Sequence, residues 1–578
     1  MSTKDIALDV RGQNFFMSDR SFQSVLPLRL DAAAYQHLRP HFERLGELAG
    51  GRLDELAEAA DKNPPVLHQR DRFGRDEDWI EYHPAYREME QIGFGEFGLH
   101  AMTHRPGVLG LDGVAPHTAK YALQYLFCEA EYGIMCPISA GDTTIYLIRN
   151  YGSPQLQARL LPRMLSQDVD TYWRGSQFLT ETAGGSDVGA AETVATPYDV
   201  DEDGVERWTL TGDKWFCSHT DADACIIIAR RHDGPSGTKG LSLFVLPKTL
   251  EDGTRNSYRI VRLKDKLGTR SMASGEIKLN GAIAYLLGDP HNGIKQAMAQ
   301  VNLSRLSHAV RAAGRLRRCV TEALAVARSR NAFGKGIIEF PLLRRQLMKL
   351  MVPSEQALSM TMFTAQAMDA GEEDLLRILT PLIKLRVCRD LVEAASTTIE
   401  LRGGNGYIED WSNARIFRDA QIGPIWEGTT NINAIDTVGR AVAREGAHKV
   451  LADRLRELLD ESEVPATFNV ELHGLVDKAF AALDRCAHDP DQEQNFRIVS
   501  TLTYHVVSAV LLATEGAQIA RQAGDARRLL LARQVVDHWI TPVDPFNPTA
   551  TPEDAEMVEL LLTEEPVNIE AATRLIGG

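Results

Sequence analysis

Residues 426–431 read Trp-Glu-Gly-Thr-Thr-Asn and set one carboxylate, Glu427, between a large ring and a glycine. A carboxylate withdrawn from water has its pKa raised toward neutrality, which strengthens it as a base. Positioned over a weakly acidic C–H, such a base contributes about 10²–10⁴ in rate. Trp426 and Gly428 suit a tight, ring-lined pocket for it, although a glutamate that merely starts a helix near Thr429 would carry the same text. A second run, Phe178-Leu-Thr-Glu-Thr-Ala-Gly-Gly-Ser-Asp187, joins small hydroxyls to paired glycines. Glycine lets backbone approach a flat ring closely, and a strand edge offers free N–H and C=O groups. Leu179, Thr180, Gly185 and Ser186 therefore suit a planar heterocycle; a polar turn between strands is the plainer reading. Arg330, in Arg330-Asn-Ala-Phe-Gly334, presents a planar, permanently charged fork of the kind that grips a pyrophosphate, with Phe333 beside it. A solvated arginine at a helix end would look the same. Gly403-Gly404 would likewise admit a ligand close to backbone.

Other chemistries find little support. His37/His41 and His100/His104 are each four apart, but Pro40 interrupts the first pair and neither holds the glutamate of His-Glu-x-x-His, so both read as chance spacing and no metal site is expected. No Gly-x-Ser-x-Gly elbow is present. Gly93-Phe-Gly-Glu-Phe-Gly98 matches Gly-x-Gly-x-x-Gly, yet it follows charged text rather than an apolar strand, so a dinucleotide-binding βαβ unit is not expected. The seven cysteines are scattered, odd in number and without a Cys-x-x-Cys pair, which argues against a disulfide framework and fits a reducing cytosol. The N-terminus has no signal-type apolar core, and no apolar run approaches the ~20 residues of a membrane helix; a cytoplasmic protein without membrane insertion is expected.

The 578 residues suggest about four domains. Residues 1–177 read as a helical domain, with helices at 119–132 and 142–151 and loop-like text around Pro64-Pro65 and 71–78. Residues 178–292 change texture: Ala224-Cys-Ile-Ile-Ile-Ala229 and Leu241-Ser-Leu-Phe-Val-Leu246 look like buried strands, and Asn280-Gly281 looks like a turn after a strand. Residues 293–442 return to helix. Leu385, Cys388, Val392, Ala395 and Ile399 form a stripe that Gly403-Gly404 stops, the pattern of a bundle core. Residues 443–578 add a helical appendix, with helices at 501–512 and 527–539 before a proline-broken stretch. The fold class is α+β: helical domain, central β-domain, helical bundle, extra C-terminal helical domain. Of the net charge of −16, the appendix holds −11, from 12 basic and 23 acidic residues.

Four motifs, in this order, make the chain resemble the acyl-CoA dehydrogenase family: residues 178–187; Lys266-Leu-Gly-Thr-Arg-Ser271; Arg330-Asn-Ala-Phe-Gly334; and Gly403-Gly-Asn-Gly-Tyr407 with Arg418-Asp419 and Ile425-Trp-Glu-Gly-Thr-Thr-Asn431. Asn63-Pro-Pro-Val-Leu, His83-Pro-Ala-Tyr, Cys136-Pro-Ile, Lys214-Trp-Phe-Cys-Ser218 and Leu263-Lys-Asp-Lys-Leu-Gly268 look like the AidB-like branch, which also carries a C-terminal helical addition. The resemblance implies FAD as cofactor, with Leu179, Thr180, Gly185 and Ser186 at the flavin and Ser186 also near the acyl-CoA. It implies a ring and a hydroxyl from the Lys214–Ser218 stretch. Counted from Lys214 these are Phe216 and Ser218; counted from Trp215, Cys217 takes the second place. A hydroxyl is the better hydrogen-bond partner, which favours Ser218. Arg330 and Phe333 would reach the FAD of a neighbouring subunit, and Gly403, Gly404, Trp426, Thr429 and Asn431 would complete the cofactor's surroundings. Two departures stand out: Thr182 where proline is common, and Glu400 where glutamine is common.

The resemblance implies α,β-desaturation of an acyl-CoA thioester: Glu427 takes the α-proton and the β-hydrogen passes as hydride to flavin N5. Some relatives place the base on the first long helix after the strands, before an arginine; that position here is Ser304-Arg305, and serine cannot serve. Arg305 and Gly428 are candidate substrate contacts. An electron-transfer flavoprotein, a homo-oligomer (dimer or tetramer) and a place in fatty-acid metabolism follow as expectations. The competing readings are a flavin oxidase and an AidB-like, DNA-binding protein of the alkylation-stress response. The acidic appendix opposes the latter, since phosphate contacts drive most nonspecific affinity; Arg527, Arg528 and Arg533 are its only basic cluster.

Overall fold

The apolar run at 224–229 lies in strand Ala224–Arg231, and its neighbour Leu241–Pro247 is buried at every position. Runs without alternation are what a strand covered on both faces requires. In chain order the strands are β1 (Val66–Arg70), β2 (Asp76–Glu81), β3 (Gly175–Phe178), β4 (Val194–Val200), β5 (Glu206–Ser218), β6 (Ala224–Arg231), β7 (Leu241–Pro247), β8 (Tyr258–Leu263) and β9 (Ser274–Leu286). Strands β3 to β9 form one sheet in the order β3-β6-β4-β5-β9-β7, with β8 on β9 and an added β6–β7 pairing. That pairing closes β6, β4, β5, β9 and β7 into a ring, the usual remedy for exposed strand edges. Ile226, Ile228, Leu243 and Val245 of the sheet pack with Ile145 and Ile148 of the helix Met135–Tyr151.

This computed structural model describes residues 6–542, 544–546, 548 and 550–577. The chain divides into two compact units. One, Arg52–Pro116 with Glu131–Ser307, holds the sheet; the other, Met1–Gly51, His117–Ala130 and His308–Gly578, is mainly helical. The division falls inside the long helix Gly293–Ser329.

Two local readings of the sequence need correction. The loop-like text at 71–78 is the turn of a hairpin at 71–75 and then the start of strand β2, which the sequence did not show. Its alternation is disguised because an inward position is Asp78, not an apolar residue. Burial pushes the Asp78 pKa up, but bonds from Arg259 (2.9 and 3.0 Å), the Ile260 N–H (2.9 Å) and Arg255 outweigh it and hold the carboxyl below its ordinary range. Asn280-Gly281 does not end a strand. β9 runs through it, and Gly281, at φ +73°, sits where the register against β5 shifts between Leu210–Ala282 and Thr211–Asn280. It is a bulge, which twists a long strand without breaking it.

In the helical unit, Pro341 opens the helix Pro341–Asp369, where a missing N–H costs nothing. Glu373 and Asp374 begin the helix Glu373–Arg402, and Gly403 ends it at φ +72°. The appendix helices include Ala447–Asp460, Ala466–His488, Phe496–Ala523 and Arg527–Val535. The helix Phe496–Ala523 is longer than the 501–512 stretch expected. By length and composition it could cross a membrane, with a mean hydropathy of 1.5 in its most apolar window, yet 67% of that window is buried inside the fold. Glu515, on this helix, accepts from Arg528 (2.8 Å) and from Arg29 near the N-terminus (2.5 Å). Glu355 accepts from Arg528 (2.8 Å) and from the Ser21 hydroxyl (2.7 Å), with Arg527 at 3.7 Å and Arg317 at 3.9 Å. Arg317 also meets Asp19 (3.3 Å) and Glu564 (3.1 Å). The appendix is thus joined to the rest of its unit through buried charge pairs.

Candidate active site

Glu427 lies in the turn between the helix Ser412–Ala420 and the helix Thr430–Ile435. Its φ is +53° and that of Gly428 is +88°. A non-glycine residue in this left-handed region is strained by roughly 1–2 kcal/mol and persists only where its surroundings over-determine it. Those surroundings are visible. Thr429 caps the following helix by accepting from the Ile432 N–H. The Gly428 carbonyl accepts from Lys384 Nζ at 2.5 Å and from Asn433 Nδ2 at 2.8 Å. The Trp426 ring meets the His308 ring edge-on, with centroids 4.2 Å apart, and the Arg311 guanidinium lies 5.0 Å from its centroid. Glu427 itself is half-buried. Asn431 is exposed on the first turn of the next helix, whereas Asn433, two residues on, shares the Gly428 carbonyl with Lys384.

Arg330 leads into a two-residue hairpin, β10 (Asn331–Ala332) and β11 (Lys335–Gly336), with Phe333 at φ +53° and Gly334 at φ +83° in the turn. Two positive φ values are the type I′ geometry. Phenylalanine is a costly choice there, and its ring is 97% exposed. A Cβ built on Gly403 would lie 3.7 Å from Arg330 Nη1, so the arginine stands beside the glycine pair; at Gly404 a Cβ would meet nothing within 4 Å. Arg330, Gly403 and Gly404 therefore form one open, backbone-lined basic corner.

In the sheet-bearing unit, the first motif and β5 are tied together. The Trp215 N–H donates to the Thr180 carbonyl at 2.9 Å, and Lys214 Nζ, wholly buried, donates to Glu181 at 2.6 Å. Glu181 also receives the Thr193 hydroxyl (2.6 Å) and the Glu192 N–H (2.6 Å). Burial raises the Glu181 pKa, but Lys214 outweighs it and the carboxyl stays below its ordinary range. A Cβ on Gly185 would come within 2.9 Å of the Thr180 hydroxyl, so only glycine leaves that hydroxyl its place. Leu179 is half-buried against the sheet core and Ser186 is exposed. On β5 the register slips between Lys214 and Cys217, which puts Trp215 and Phe216 in a bulge. Phe216 is 53% exposed and Ser218 is partly exposed, whereas Cys217 is fully buried and burial pushes its thiol pKa up. The bulge thus turns out a ring, and of the two alternatives for the polar partner only Ser218 offers an accessible atom. In the second motif Lys266 Nζ donates to the Met272 carbonyl (2.7 Å) and the Ser271 hydroxyl to Glu131 (2.7 Å), which shapes the loop before β9. Arg305 is buried on the helix Gly293–Ser329, with Asn302 at 3.3 Å.

His308, Arg311, Lys384 and Asn433 escaped the reading of the sequence. Lys384 left a signal: one charge inside Pro-Leu-Ile-Lys-Leu, on a helix whose neighbours are core. The arginine cluster of the appendix was legible but is not a surface patch. Arg527 and Arg528 are buried in the ion-pair network, and Arg533 pairs with Glu471 (2.6 Å) and Asp537 (2.5 Å).

Residues 7–171 match the adaptive response protein AidB N-terminal domain, 176–282 the acyl-CoA dehydrogenase middle domain and 291–443 the acyl-CoA dehydrogenase C-terminal domain. The putative acyl-CoA dehydrogenase AidB of Escherichia coli is 31% identical over 70% of this chain and 74% of that protein. The chain belongs to the acyl-CoA dehydrogenase family. Within that family it is AidB-like at its N-terminus. Acyl-CoA dehydrogenase family member 11 of Caenorhabditis elegans is 28% identical over 88% of this chain and 83% of its own. The crystal structure of C. elegans ACDH-11 in complex with C11-CoA superposes with a TM-score of 0.85 at 25% identity, covering 94% of both chains.

Acyl-CoA dehydrogenases are FAD-dependent oxidoreductases, and the residues here fit that cofactor. The turned-out Phe216 with Ser218, the Thr180 hydroxyl kept open by Gly185, and the neighbouring Leu179 and Ser186 suit a flavin ring. The corner of Arg330, Gly403 and Gly404 suits a pyrophosphate.

Proposed function

We propose that the protein desaturates an acyl-CoA thioester between its α and β carbons, with Glu427 as the base that removes the α-proton. Bound FAD supplies the acceptor for the β-hydrogen. The observation that carries the reading is the strained Glu427 backbone, φ +53°, held on one side through Trp426 and on the other through Gly428. A carboxylate fixed in this way loses little orientational freedom when it takes a proton, and positioned bases contribute about 10²–10⁴ in rate. Ser304 leaves no carboxylate at the family's other base position. The C11-CoA bound to the C. elegans relative supports a thioester substrate. An electron-transfer flavoprotein is the proposed acceptor and the cytosol the proposed compartment. We read the protein as a homo-oligomer in which Arg330 and the exposed Phe333 serve a neighbouring subunit's FAD. The test is a panel of acyl-CoA thioesters with an artificial acceptor, run on the FAD-loaded protein and on Glu427→Gln. The substitution keeps FAD and removes flavin reduction. Reduction retained in Glu427→Gln refutes the role of Glu427, and bleaching by no thioester refutes the substrate class.

A further inference from the structure

Arg311 is a fully buried arginine that forms no ion pair among the described residues. Its Nη2 meets His308 Nε2 at 3.1 Å, its guanidinium faces the Trp426 ring at 5.0 Å, and its Nε and Nη1 meet no hydrogen-bond partner among the described residues. A buried cation without a counter-ion costs stability, so its retention calls for a reason other than packing. Lys384 is a second buried cation, and it reaches the Gly428 carbonyl at 2.5 Å. The two come from different helices, Gly293–Ser329 and Glu373–Arg402, and converge. Burial raises the pKa of the intervening Cys388 thiol, and the charges of Lys384 and Arg311 both oppose that rise. Asp436, beyond the helix that follows Glu427, is taken up by Arg377 at 2.9 Å. Of the titratable groups on these elements, His308 meets Arg311, Cys388 feels both cations and Asp390, and Asp436 pairs with Arg377.

We infer that Arg311 and Lys384 are positioning residues for the base: they grip the residues on either side of Glu427. Arg311 acts through the face of Trp426, where a desolvated cation–π contact is strong. Lys384 acts through the Gly428 carbonyl, which fixes the left-handed pair of residues 427 and 428. Neither residue takes or gives the proton. The inference rests on Glu427 being the base.

The experiment compares full-length, FAD-loaded Arg311→Gln, Arg311→Lys, Lys384→Met and Lys384→Arg, with Glu427→Gln as reference. Removing either grip should lower kcat about tenfold or more while KM stays within about twofold, because misplacing a base weakens the transition state and not thioester binding. Arg311→Lys and Lys384→Arg, which keep a cation at each place, should recover part of that kcat. Hydrogen exchange at residues 426–429 should quicken in the neutral variants, a readout independent of turnover. If Glu427→Gln abolishes reduction and the neutral variants leave both kcat and the exchange unchanged, the inference is overturned and the base stands. If Glu427→Gln still reduces flavin, the base reading falls instead. Should Arg311→Gln fail to fold, Lys384→Met and Arg311→Lys decide the matter.

Discussion

Replacing Glu355 by Gln removes one charge from a connected set. The network holds Arg29, Arg317, Arg527 and Arg528 against Asp19, Glu355, Glu515 and Glu564, with Arg328 joining at its edge on Glu564 (3.2 Å). Glu355 is its hub, with three arginines within 3.9 Å and the Ser21 hydroxyl at 2.7 Å. The substitution leaves one buried cation uncompensated. Breaking a buried pair in this way costs about 3–5 kcal/mol, on the order of 5–10 °C in Tm for a unit of this size. Calorimetry of the FAD-loaded protein reads the change, and Glu355→Met with Arg528→Met should recover part of it, since the remaining charges are then better balanced. The acid limb of stability follows from the same groups. Burial pushes Glu355, Glu515 and Glu564 up, but the arginines outweigh it, Arg528 foremost for the first two and Arg317 for the third, so all three lie below the ordinary value of 4.5. A depressed carboxylate contributes stability that is full above the unfolded pKa and lost as pH falls through the folded one. Asp19 has the opposite sign: burial raises its pKa, so its cost applies at neutral pH and fades on acidification. Three depressed groups outweigh one raised group, and the parent should lose Tm steeply below about pH 4.5 while Glu355→Gln loses less. A Glu355→Gln protein melting within 1 °C of the parent would refute the coupling.

Other consequences are as direct. Gly428→Ala puts a Cβ 3.0 Å from Ile432 Cγ2 at φ +88°, so it should cost about 1–2 kcal/mol and slow flavin reduction at unchanged FAD content, read by stopped flow. Gly185→Val displaces the Thr180 hydroxyl, 2.9 Å from the new Cβ; about 1–3 kcal/mol of overpacking should appear as roughly tenfold or greater loss of FAD on gel filtration. Thr429→Val removes the cap of the helix after Glu427 and should cost about 1 kcal/mol with a larger fall in kcat than in FAD affinity. A salt-titrated gel shift should show no duplex DNA binding through the appendix, because Arg527 and Arg528 are internal; retardation abolished by Arg528→Met would overturn that.

The sequence shows the strands of the sheet where burial is two-sided, because the runs 224–229 and 243–247 are then continuously apolar. It hides β1 and β2 because Asp78 takes an inward place through ion pairs with residues far along the chain. The bulge at Gly281 and the strain at Glu427 are backbone facts, written in φ rather than in residue type. Within the site, Trp426-Glu427-Gly428 was legible as a motif. The groups that hold it were not, since His308 and Arg311 stand more than 100 positions away and carry no local signature. Hydrogen-bond chemistry favoured Ser218 over Cys217, and burial along β5 adds that Cys217 is fully enclosed.

The charge of the appendix is a fair example of what composition can and cannot decide. A balance of −11 argues against a phosphate-binding surface, but it says nothing of where individual charges lie. Its basic residues are largely committed inward or to neighbours: Arg527 and Arg528 to Glu355 and Glu515, Arg533 to Glu471 and Asp537. The acidic excess is therefore left on the outside, where it opposes polyanions more strongly than the net figure alone implies. Arg528 bridges Glu355 of the helix Pro341–Asp369 and Glu515 of the appendix, so replacing it should loosen the appendix before it touches the Glu427 turn. Arg528→Met should accordingly raise protease sensitivity within residues 443–578 by about two orders of magnitude, the expected scale for losing about 3 kcal/mol locally. Flavin reduction by a thioester should meanwhile stay within about twofold of the parent. Equal loss of both would mean that the appendix and the base are one cooperative structure rather than two.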